Sequence, residues 1–363
     1  MTSLTNEQVH AAIAGVQDKY LEQDYVSAKA LKALSVQGDT VTISIELGYP
    51  CAGVEADIKQ SLTDAVKAVG AGSVKVEITS QVAAHQVQGS LQALKGVKNI
   101  VAVSSGKGGV GKSTTTVNLA LAMAAEGARV GIMDADIYGP SQGMMLGVTP
   151  GTRPQPVGEK LMAPIQAHGL QVMSIGFLID DEQPMVWRGP MASGALQQLL
   201  TETVWEDLDY LFIDMPPGTG DIQLTLSQKV PVTGSVIVTT PQDIALLDAK
   251  KGIEMFRKVE IPVLGVVENM SLHICSECGH SEPIFGHGGG ELLAEQYQSP
   301  MLGALPLTMG IRTSTDNGAP TVVSAPDSQE TAIYRDMARK VGALLAKRAE
   351  APVAMPNISI VND

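Results

Sequence analysis

A glycine-rich string between an apolar strand and a helical stretch constrains this chain more than any other feature. Ile100 to Val103 reads as a buried strand, Gly106-Lys107-Gly108-Gly109-Val110-Gly111-Lys112-Ser113 follows it, and Thr114 to Ala125 has a helical pattern. The string fits G-x-x-x-x-G-K-[ST], in which glycines let consecutive backbone N–H groups face phosphate oxygens at a helix N-terminus. Lys112 is expected to reach the β- and γ-phosphates of ATP, and Ser113 to ligate Mg²⁺ through its hydroxyl.

The chain around this loop alternates between short apolar strands and helical stretches. Near-continuous apolar strands separated by helices indicate a parallel sheet covered on both faces, so we predict an α/β nucleotide-binding domain over residues 98–350. Its predicted strands are Ile100 to Val103, Val130 to Met133, Tyr210 to Ile213, Ser235 to Val238, Val263 to Val267 and Met301 to Leu305.

Residues 1–80 predict a separate small α+β domain with the order α-β-β-α-β. Its predicted elements include a helix from Asn6 to Leu21, a strand from Thr40 to Leu47, a helix from Val54 to Val69 and a strand from Ser73 to Thr79. The polar, Gln-rich stretch that follows predicts a linker over 81–97. The proline-containing end, 351–363, predicts a loosely ordered tail.

Charge and cysteine content exclude several classes of protein. A formal net charge of -13 argues against non-specific binding of nucleic acid or of an anionic membrane. Three cysteines are too few for a secreted disulfide framework, and no apolar run approaches the ~20 residues of a membrane helix. With no signal peptide at the start, we expect a cytoplasmic protein without a membrane or nucleic-acid partner.

Acidic residues follow two of the predicted strands, where ligands bind in open α/β sheets. Asp134-Ala135-Asp136 ends the strand Val130 to Met133, and Asp214 ends the strand Tyr210 to Ile213. An aspartate at such a place can also cap the next helix. With the phosphate loop nearby, two such sites favour the handling of metal and water.

A cysteine pair, Cys275-Ser276-Glu277-Cys278-Gly279-His280, predicts a metal-binding turn that aims two sulfurs at one point. A zinc site or an iron–sulfur cubane usually needs four ligands, and a second copy related by a two-fold axis would supply the other two. Alternatively, His273, His280 or His287 would complete a zinc site in one chain, or the pair would be a redox dithiol. The spacing alone leaves zinc and iron–sulfur equally favoured.

The string from Lys107 to Thr114 resembles the deviant Walker A motif of the MinD/ParA/nitrogenase-reductase/Mrp class. That resemblance implies that Gly106 to Thr114 binds the nucleotide and that Lys107 crosses a homodimer interface to the partner's ATP. It also implies that Asp136 orients the attacking water, that Asp214 reaches Mg²⁺, and that Asn269 contacts adenine.

Further segments extend the resemblance to one branch of this class, the Mrp/ApbC family of iron–sulfur cluster carrier ATPases, and the first domain is similar to MIP18-type domains. The resemblance implies a [4Fe-4S] cluster held between two subunits by Cys275 and Cys278 of each, controlled by slow ATP hydrolysis and delivered to apo-proteins. The alternative is a zinc-stabilised MinD/ParA-like regulatory ATPase. The segments that carry the resemblance are Lys107 to Thr114, Asp134 to Ser141, Trp187 to Met191, Asp214 to Asp221, and Glu268 to Met270 leading into the cysteine pair.

Other members of the class fit less well. A MinD-like membrane ATPase needs a basic amphipathic C-terminal helix, and a ParA-like ATPase needs a basic DNA-binding surface. A nitrogenase-reductase-like protein places cysteines in its switch segments, whereas Asp214 to Asp221 has none. The third cysteine, Cys51, is predicted to be an inert small side chain rather than a reactive one. Two interpretations are open for the segment Trp187-Arg188-Gly189-Pro190. It forms either a turn near one of the nucleotide-responsive switch segments or a part of the packed interior.

Overall fold

The computed structural model describes residues 4–85, 91–179, 189–275 and 277–350. The first part of the chain forms a small unit around a three-stranded sheet of order β3-β4-β5, with β3 antiparallel and β5 parallel to β4. This confirms the order α-β-β-α-β, with a short ribbon, β1–β2, added before the sheet. The elements are α1 (Asn6–Ala14), β1 (Gln17–Asp18), β2 (Gln23–Asp24), β3 (Leu31–Gln37), β4 (Thr40–Leu47), α2 (Glu55–Ala68) and β5 (Ser73–Ser80).

The first helix is shorter than the sequence pattern predicts. It ends at Ala14 with Gly15 as its C-cap, and the prediction that it continues to Leu21 is wrong. A carboxylate oxygen of Asp18 accepts hydrogen bonds from the backbone N–H groups of Tyr20 and Leu21. This local turn competes with the helix for the backbone donors, which is how aspartate commonly breaks a helical pattern.

The larger unit is built on an eight-stranded sheet of order β10-β11-β7-β12-β6-β13-β14-β17. Every pairing in it is parallel except β10–β11, at one edge. Every residue of β7, β12 and β13 is buried, so helices cover both faces as predicted. The strands are β6 (Val97–Ser104), β7 (Val130–Asp134), β8 (Pro156–Val157), β9 (Leu161–Met162), β10 (Ile165–Ala167), β11 (Leu170–Ser174), β12 (Leu208–Asp214), β13 (Gly234–Thr239), β14 (Val263–Glu268), β15 (His273–Ile274), β16 (Ser281–Glu282) and β17 (Met301–Ala304).

All six predicted strands of this sheet are present, but the sequence interpretation missed β10 and β11. Both are short, and Gln171 interrupts the apolar run in β11. A 3₁₀ turn, Ile175–Phe177, follows β11. The helices are α3 (Lys112–Ala125), α4 (Gln142–Met145), α5 (Gly189–Glu202), α6 (Asp221–Lys229), α7 (Asp243–Lys258), α8 (Gly289–Gln296), α9 (Met309–Asp316), α10 (Thr321–Ser324) and α11 (Gln329–Glu350).

Helix α11 joins the two units, because it packs on α3 and also reaches the small unit. Ala343 is fully buried among the core residues of the small unit. A Cβ added to Gly48 would lie 2.8 Å from Cβ of Ala346, so the two backbones pack in close contact. The small unit therefore rests on the same helix that packs against the phosphate-loop helix.

A buried ion cluster centred on Glu126, just after α3, holds this contact together. Its carboxylate accepts hydrogen bonds at 2.6 Å from both Arg335 Nε and Arg339 Nη1, and at 2.8 Å from the backbone N–H of Gly53. The Glu126 side chain is fully buried. One carboxylate thus ties together the end of the phosphate-loop helix, α11 and the loop that follows β4.

We expect the substitution Glu126→Gln to lower the free energy of unfolding by roughly 3–5 kcal/mol. Loss of the carboxylate leaves the buried Arg339 guanidinium without its counter-charge, and breaking one side of a buried pair has this cost. Hydrogen exchange should rise around Gly53 and along α11, because the small unit loosens. Thermal unfolding combined with hydrogen-exchange mass spectrometry measures both effects.

The matched control is Glu22→Gln at the same contact. Glu22 pairs with Lys347 Nζ at 3.1 Å, but its side chain is 81% exposed. An exposed pair contributes about 0–1 kcal/mol, so this variant should unfold close to the wild type. Equal losses from the two variants would contradict the assignment of Glu126 as the centre of the contact.

The segment between the units begins after Ser80 and ends before Val97. Its described part is not free of the core, because Val82 is buried and His85 Nδ1 lies 2.7 Å from Asn99 Oδ1. The division at residues 80 and 98 stays a prediction. Residues 86–90 and the tail 351–363 lie outside the described residues. Among the helices described, none has the length and hydropathy to cross a membrane.

Candidate functional site

The loop between β6 and α3 has the backbone geometry that its glycines allow. Gly109 and Gly111 both have φ of +82°, in the left-handed region that favours glycine. A Cβ on Gly106 would collide with the backbone of Asp248 in α7, and one on Gly111 would collide with the side-chain amide of Asn269. Gly106 and Gly111 are therefore required by close packing, and Gly109 and Gly111 by their backbone conformation.

The backbone donors of this loop are free to bind an anion. In the described part of the chain, no backbone N–H group from Gly106 to Ser113 donates a hydrogen bond to a protein acceptor. A row of such groups at the start of the 14-residue helix α3 forms an anion-binding concavity, strengthened by the helix dipole. The residues present thus fit the phosphates of a nucleotide. Their assignment to individual contacts stays a prediction.

The ammonium group of Lys112 lies among carboxylates. Its Nζ is 2.5 Å from Asp214 Oδ1 and 3.8 Å from Asp136 Oδ2, and it donates to Ser113 Oγ at 3.1 Å. The Lys112 side chain is 6% exposed and that of Asp214 is fully buried. The structure therefore brings Lys112, Ser113, Asp136 and Asp214 together at the carboxyl ends of β7 and β12.

A third carboxylate, Asp134, lies fully buried in the same place. It accepts hydrogen bonds from the backbone N–H groups of Asp136, Ser141 and Gln142, and from Ser174 Oγ. Burial and the neighbouring Asp214 carboxylate raise the pKa of Asp134 well above its usual range. Burial likewise raises the pKa of Asp136. Asp134 thus fixes the backbone of the segment after β7.

These groups suit a magnesium ion. Ser113 Oγ and Asp214 Oδ1 both contact the single Lys112 Nζ atom, so a cation placed there would reach both oxygens. Hydroxyl and carboxylate oxygens are the ligands that Mg²⁺ prefers. One lysine among three aspartates also leaves negative charge for a divalent cation to neutralise. The donor set therefore fits Mg²⁺ held by Ser113 and Asp214.

Gln142, at the start of α4, is a residue of this site that the sequence interpretation missed. Its Nε2 donates to Asp214 Oδ2 at 2.8 Å and to the Ser113 carbonyl at 3.1 Å. The only signal in the sequence is a polar residue beginning the apolar run Gly143-Met144-Met145-Leu146. Only the fold reveals that it touches the phosphate loop and the end of β12 together.

The segment after β12 is tied to the phosphate loop by its backbone. Gly218, with φ of +94°, donates its N–H to the Ser105 carbonyl at 3.0 Å. The buried Gln223 in α6 donates from Nε2 to Ser104 Oγ at 2.6 Å and to the Pro216 carbonyl at 2.8 Å. A segment held by a few hydrogen bonds at a glycine can rearrange when those partners change.

Asn269 follows β14 and contacts the phosphate loop directly. Its Nδ2 donates to the Val110 carbonyl at 2.9 Å, and the side chain is largely buried. Its role at adenine stays a prediction. Lys107, by contrast, is partly exposed, and its ammonium forms no ion pair among the described residues. Its role at a partner's nucleotide stays a prediction.

The cysteine pair lies in a hairpin that continues from β14. Strands β15 and β16 pair antiparallel, and the Cys275 N–H donates to the His280 carbonyl while the Gly279 N–H donates to the Cys275 carbonyl. The N–H groups of Cys278 and Glu277, then the Cys278 thiol, donate to Cys275 and lower the pKa of its thiol. Gly279 has φ of +71°, so it closes the turn as predicted.

Within the described residues, the side chains of one chain do not assemble a metal site. Over the residues that the structure describes, no three or more His, Cys, Asp or Glu side chains are arranged to hold a metal ion. His273 is instead directed to the Leu307 carbonyl at 3.3 Å. Cys275 and Cys278 are exposed to different degrees, and they form no disulfide. Metal binding by Cys275 and Cys278 stays a prediction.

A family model described as "NUBPL iron-transfer P-loop NTPase" matches residues 96–342. The chain belongs to this family. A second model, described as "Iron-sulfur cluster assembly protein", matches residues 6–78. Membership of a P-loop NTPase family implies ATPase activity, and both matches agree with the family resemblance in the sequence.

Relatives of this NTPase cover about three quarters of its length or more. A protein of Escherichia coli (strain K12) named "Iron-sulfur cluster carrier protein" is 53% identical over 343 residues, covering 94% of this chain and 93% of its own length. A protein of the same name from Pseudomonas fragi is 66% identical over 269 residues, covering 74% of this chain and 94% of its own length.

Solved structures support the fold of the larger unit. A nucleotide-binding protein from Archaeoglobus fulgidus in complex with ADP is 37% identical and covers 61% of this chain and 87% of its own, with a TM-score of 0.54. The cell division ATPase MinD of Pyrococcus furiosus covers 68% of this chain and 99% of its own, with a TM-score of 0.51. At 23% identity, the second likeness concerns the fold alone.

The structure describes Cys51 fully but only part of the segment Trp187 to Pro190. Cys51 is 3% exposed, and burial together with the nearby Glu55 and Glu126 carboxylates raises the pKa of its thiol to about 12. A buried thiol without thiolate character is unreactive, which agrees with the prediction. Trp187 and Arg188 lie outside the described residues. Gly189 begins α5, as its first residue.

Proposed function

We propose that this NTPase is an ATP-dependent iron–sulfur cluster carrier that works as a homodimer in the cytoplasm. Two copies hold a [4Fe-4S] cluster as cargo through Cys275 and Cys278 of each chain and transfer it to apo-proteins. The observation that carries the proposal is the direct path from the phosphate loop through Asn269 to the cysteine hairpin.

The nucleotide site supports ATP binding and hydrolysis. The free N–H groups of the loop and Lys112 bind phosphate oxygens, so Lys112 exchanges Asp214 for the nucleotide. Ser113 and Asp214 would hold Mg²⁺, which would supply charge neutralisation for the phosphates when bound. Asp136, partly buried with a raised pKa, orients the attacking water, while Asp134 holds the segment that carries Asp136 in place.

Hydrogen bonds of the segment that follows β14 connect the nucleotide site to the cysteine hairpin. Asn269 bonds the Val110 carbonyl in the loop, and Ser271 donates its N–H to Leu305 at 2.9 Å. Leu307 donates its N–H to Leu272 at 2.7 Å, at the base of the hairpin. A shift of the phosphate loop on binding ATP therefore has a short, hydrogen-bonded route to Cys275.

A second copy of the chain supplies the missing half of the cluster site. One chain offers two thiolates, and a cubane cluster takes four. The apolar side chains of Leu272, Ile274 and Ile284 are exposed on and near the hairpin, as expected of an interface. In this dimer Lys107 reaches the nucleotide of the partner subunit.

Anaerobic reconstitution with ferrous iron and sulfide tests the proposal. We expect one [4Fe-4S] cluster for two chains, a visible absorbance, a dimeric mass in solution, and transfer of the cluster to an apo-enzyme that requires one. ATP with Mg²⁺ should change the rate of transfer. Stoichiometric zinc, with no iron-dependent absorbance, would instead indicate the zinc-stabilised regulatory ATPase.

A further inference from the structure

We infer that Gln142 is a positioning residue of the magnesium–nucleotide site, with a separate task for each atom of its amide. Nε2 holds the Asp214 carboxylate in orientation, and Oε1 accepts a hydrogen bond from a water in the hydration shell of Mg²⁺. The inference rests on the nucleotide-binding part of the proposed function and is independent of the cluster.

The contacts of Gln142 place it at the meeting point of three segments. Its backbone N–H donates at 3.0 Å to Asp134 Oδ2, at the end of β7. Its Nε2 donates at 2.8 Å to Asp214 Oδ2, at the end of β12, and at 3.1 Å to the carbonyl of Ser113. Asp214 uses its other oxygen, Oδ1, for Lys112 and Thr116. Both oxygens of this carboxylate are therefore held from opposite sides, which fixes its plane.

The second observation concerns the oxygen of the same side-chain amide, Oε1. Gln142 is fully buried, yet its Oε1 has no hydrogen-bond partner in the described structure. A buried acceptor without a donor is costly, and such groups commonly mark the place of a water or an ion. Mg²⁺ at phosphate sites usually keeps several waters, whose hydrogens need acceptors. Oε1 belongs to the same amide as the nitrogen that bonds Asp214, so it lies close to that proposed ligand.

Partners that orient a metal ligand have a measurable effect on metal affinity. Removing one typically weakens metal binding by roughly 10–100-fold. A residue that merely fills space would lower thermal stability without changing the dependence of nucleotide binding on magnesium. The Mg²⁺ concentration that half-saturates nucleotide binding is therefore the decisive readout.

The test uses the full-length protein and a fluorescent ADP analogue, titrated in EDTA and over a range of Mg²⁺ concentrations. For Gln142→Leu we expect a half-saturating Mg²⁺ concentration raised roughly 10–100-fold, with the affinity in EDTA measured beside it. Gln142→Glu keeps an acceptor but places a negative charge beside Asp214. It should bind the analogue more weakly than the wild type in EDTA and recover when Mg²⁺ is added.

Gln171→Leu is the matched control. Gln171 lies near the start of β11, where its Nε2 donates to the Glu206 carbonyl at 2.8 Å and its Oε1 accepts from the Glu206 N–H at 2.9 Å. This variant should keep the wild-type half-saturating Mg²⁺ concentration.

A wild-type Mg²⁺ requirement in Gln142→Leu, or an equal shift in Gln171→Leu, would overturn the inference. If Gln142→Leu does not fold, Gln142→Glu becomes the deciding variant. Failure of its nucleotide binding to recover with Mg²⁺ would likewise overturn the inference. A wild-type protein that binds no analogue at any Mg²⁺ concentration would contradict the proposed nucleotide site itself, which is a distinguishable result.

Discussion

Replacing Cys275 or Cys278 by alanine is expected to remove iron–sulfur cluster binding while leaving nucleotide binding intact. Each substitution removes two of the four thiolates in a symmetric dimer, because both copies carry it. Loss of an outer-shell partner alone costs roughly 10–100-fold in metal affinity, so loss of a ligand should lower bound iron at least ~10-fold. Iron and sulfide analysis after anaerobic reconstitution, beside a nucleotide titration, measures both quantities.

The third cysteine provides the control. Cys51 is buried and far from ionising, so Cys51→Ala should bind the same amount of cluster as the wild type. Normal cluster content in Cys275→Ala or Cys278→Ala would show that the ligand assignment is wrong. Loss of cluster in Cys51→Ala together with the other two would instead indicate a general effect on folding.

Replacing Lys112 by methionine is expected to abolish tight nucleotide binding and, separately, to destabilise the nucleotide-free protein. Methionine has a similar length, but it cannot pair with phosphate or with Asp214. Lys112 lies within reach of the buried Asp214 carboxylate and the partly buried Asp136 carboxylate, and breaking a buried pair costs about 3–5 kcal/mol. We expect a fall in Tm on the order of 10 °C, measured by calorimetry without nucleotide.

The pH dependence of this loss has a defined sign. Burial already raises the folded-state pKa values of Asp134 and Asp136, and the charge of Lys112 opposes that rise. Without the lysine, both pKa values should rise further above those of the unfolded chain. The folded state then binds more protons than the unfolded state above about pH 4, so stability falls as the pH rises toward the folded-state pKa. The Tm deficit of Lys112→Met should therefore be smaller near pH 5 than at pH 8.

Lys107→Met is the matched control within the same loop. Lys107 is partly exposed and forms no ion pair among the described residues, so its loss should change Tm little. If it acts in the partner's site, ATP hydrolysis should nevertheless fall. Equal destabilisation by both lysine variants would contradict the assignment of Lys112 as the buried counter-ion.

Much of the fold was determined by local pattern in the sequence. The loop Gly106 to Ser113 needs its glycines at set spacings, and the six apolar strands needed burial on both faces, so each was recognisable without the structure. The cysteine turn was recognisable for the same reason, because two ligands and a glycine at short spacing form their geometry locally. The sequence pattern predicted the wrong end for the first helix, because Asp18 forms a local turn through hydrogen bonds. It also missed β11, because that strand is short and a glutamine interrupts its apolar residues.

Tertiary structure alone decided which distant residues share a site. Gln142, Asp134 and Asp214 come from separate segments, and they meet because neighbouring parallel strands β7 and β12 end at one edge of the sheet. The Glu126 cluster likewise depends on α11 crossing both units. Such contacts leave no periodic trace in the sequence, since each side chain is selected by partners far along the chain. The sequence thus determined the parts proposed to bind phosphate and metal, while the fold determined how they are held together.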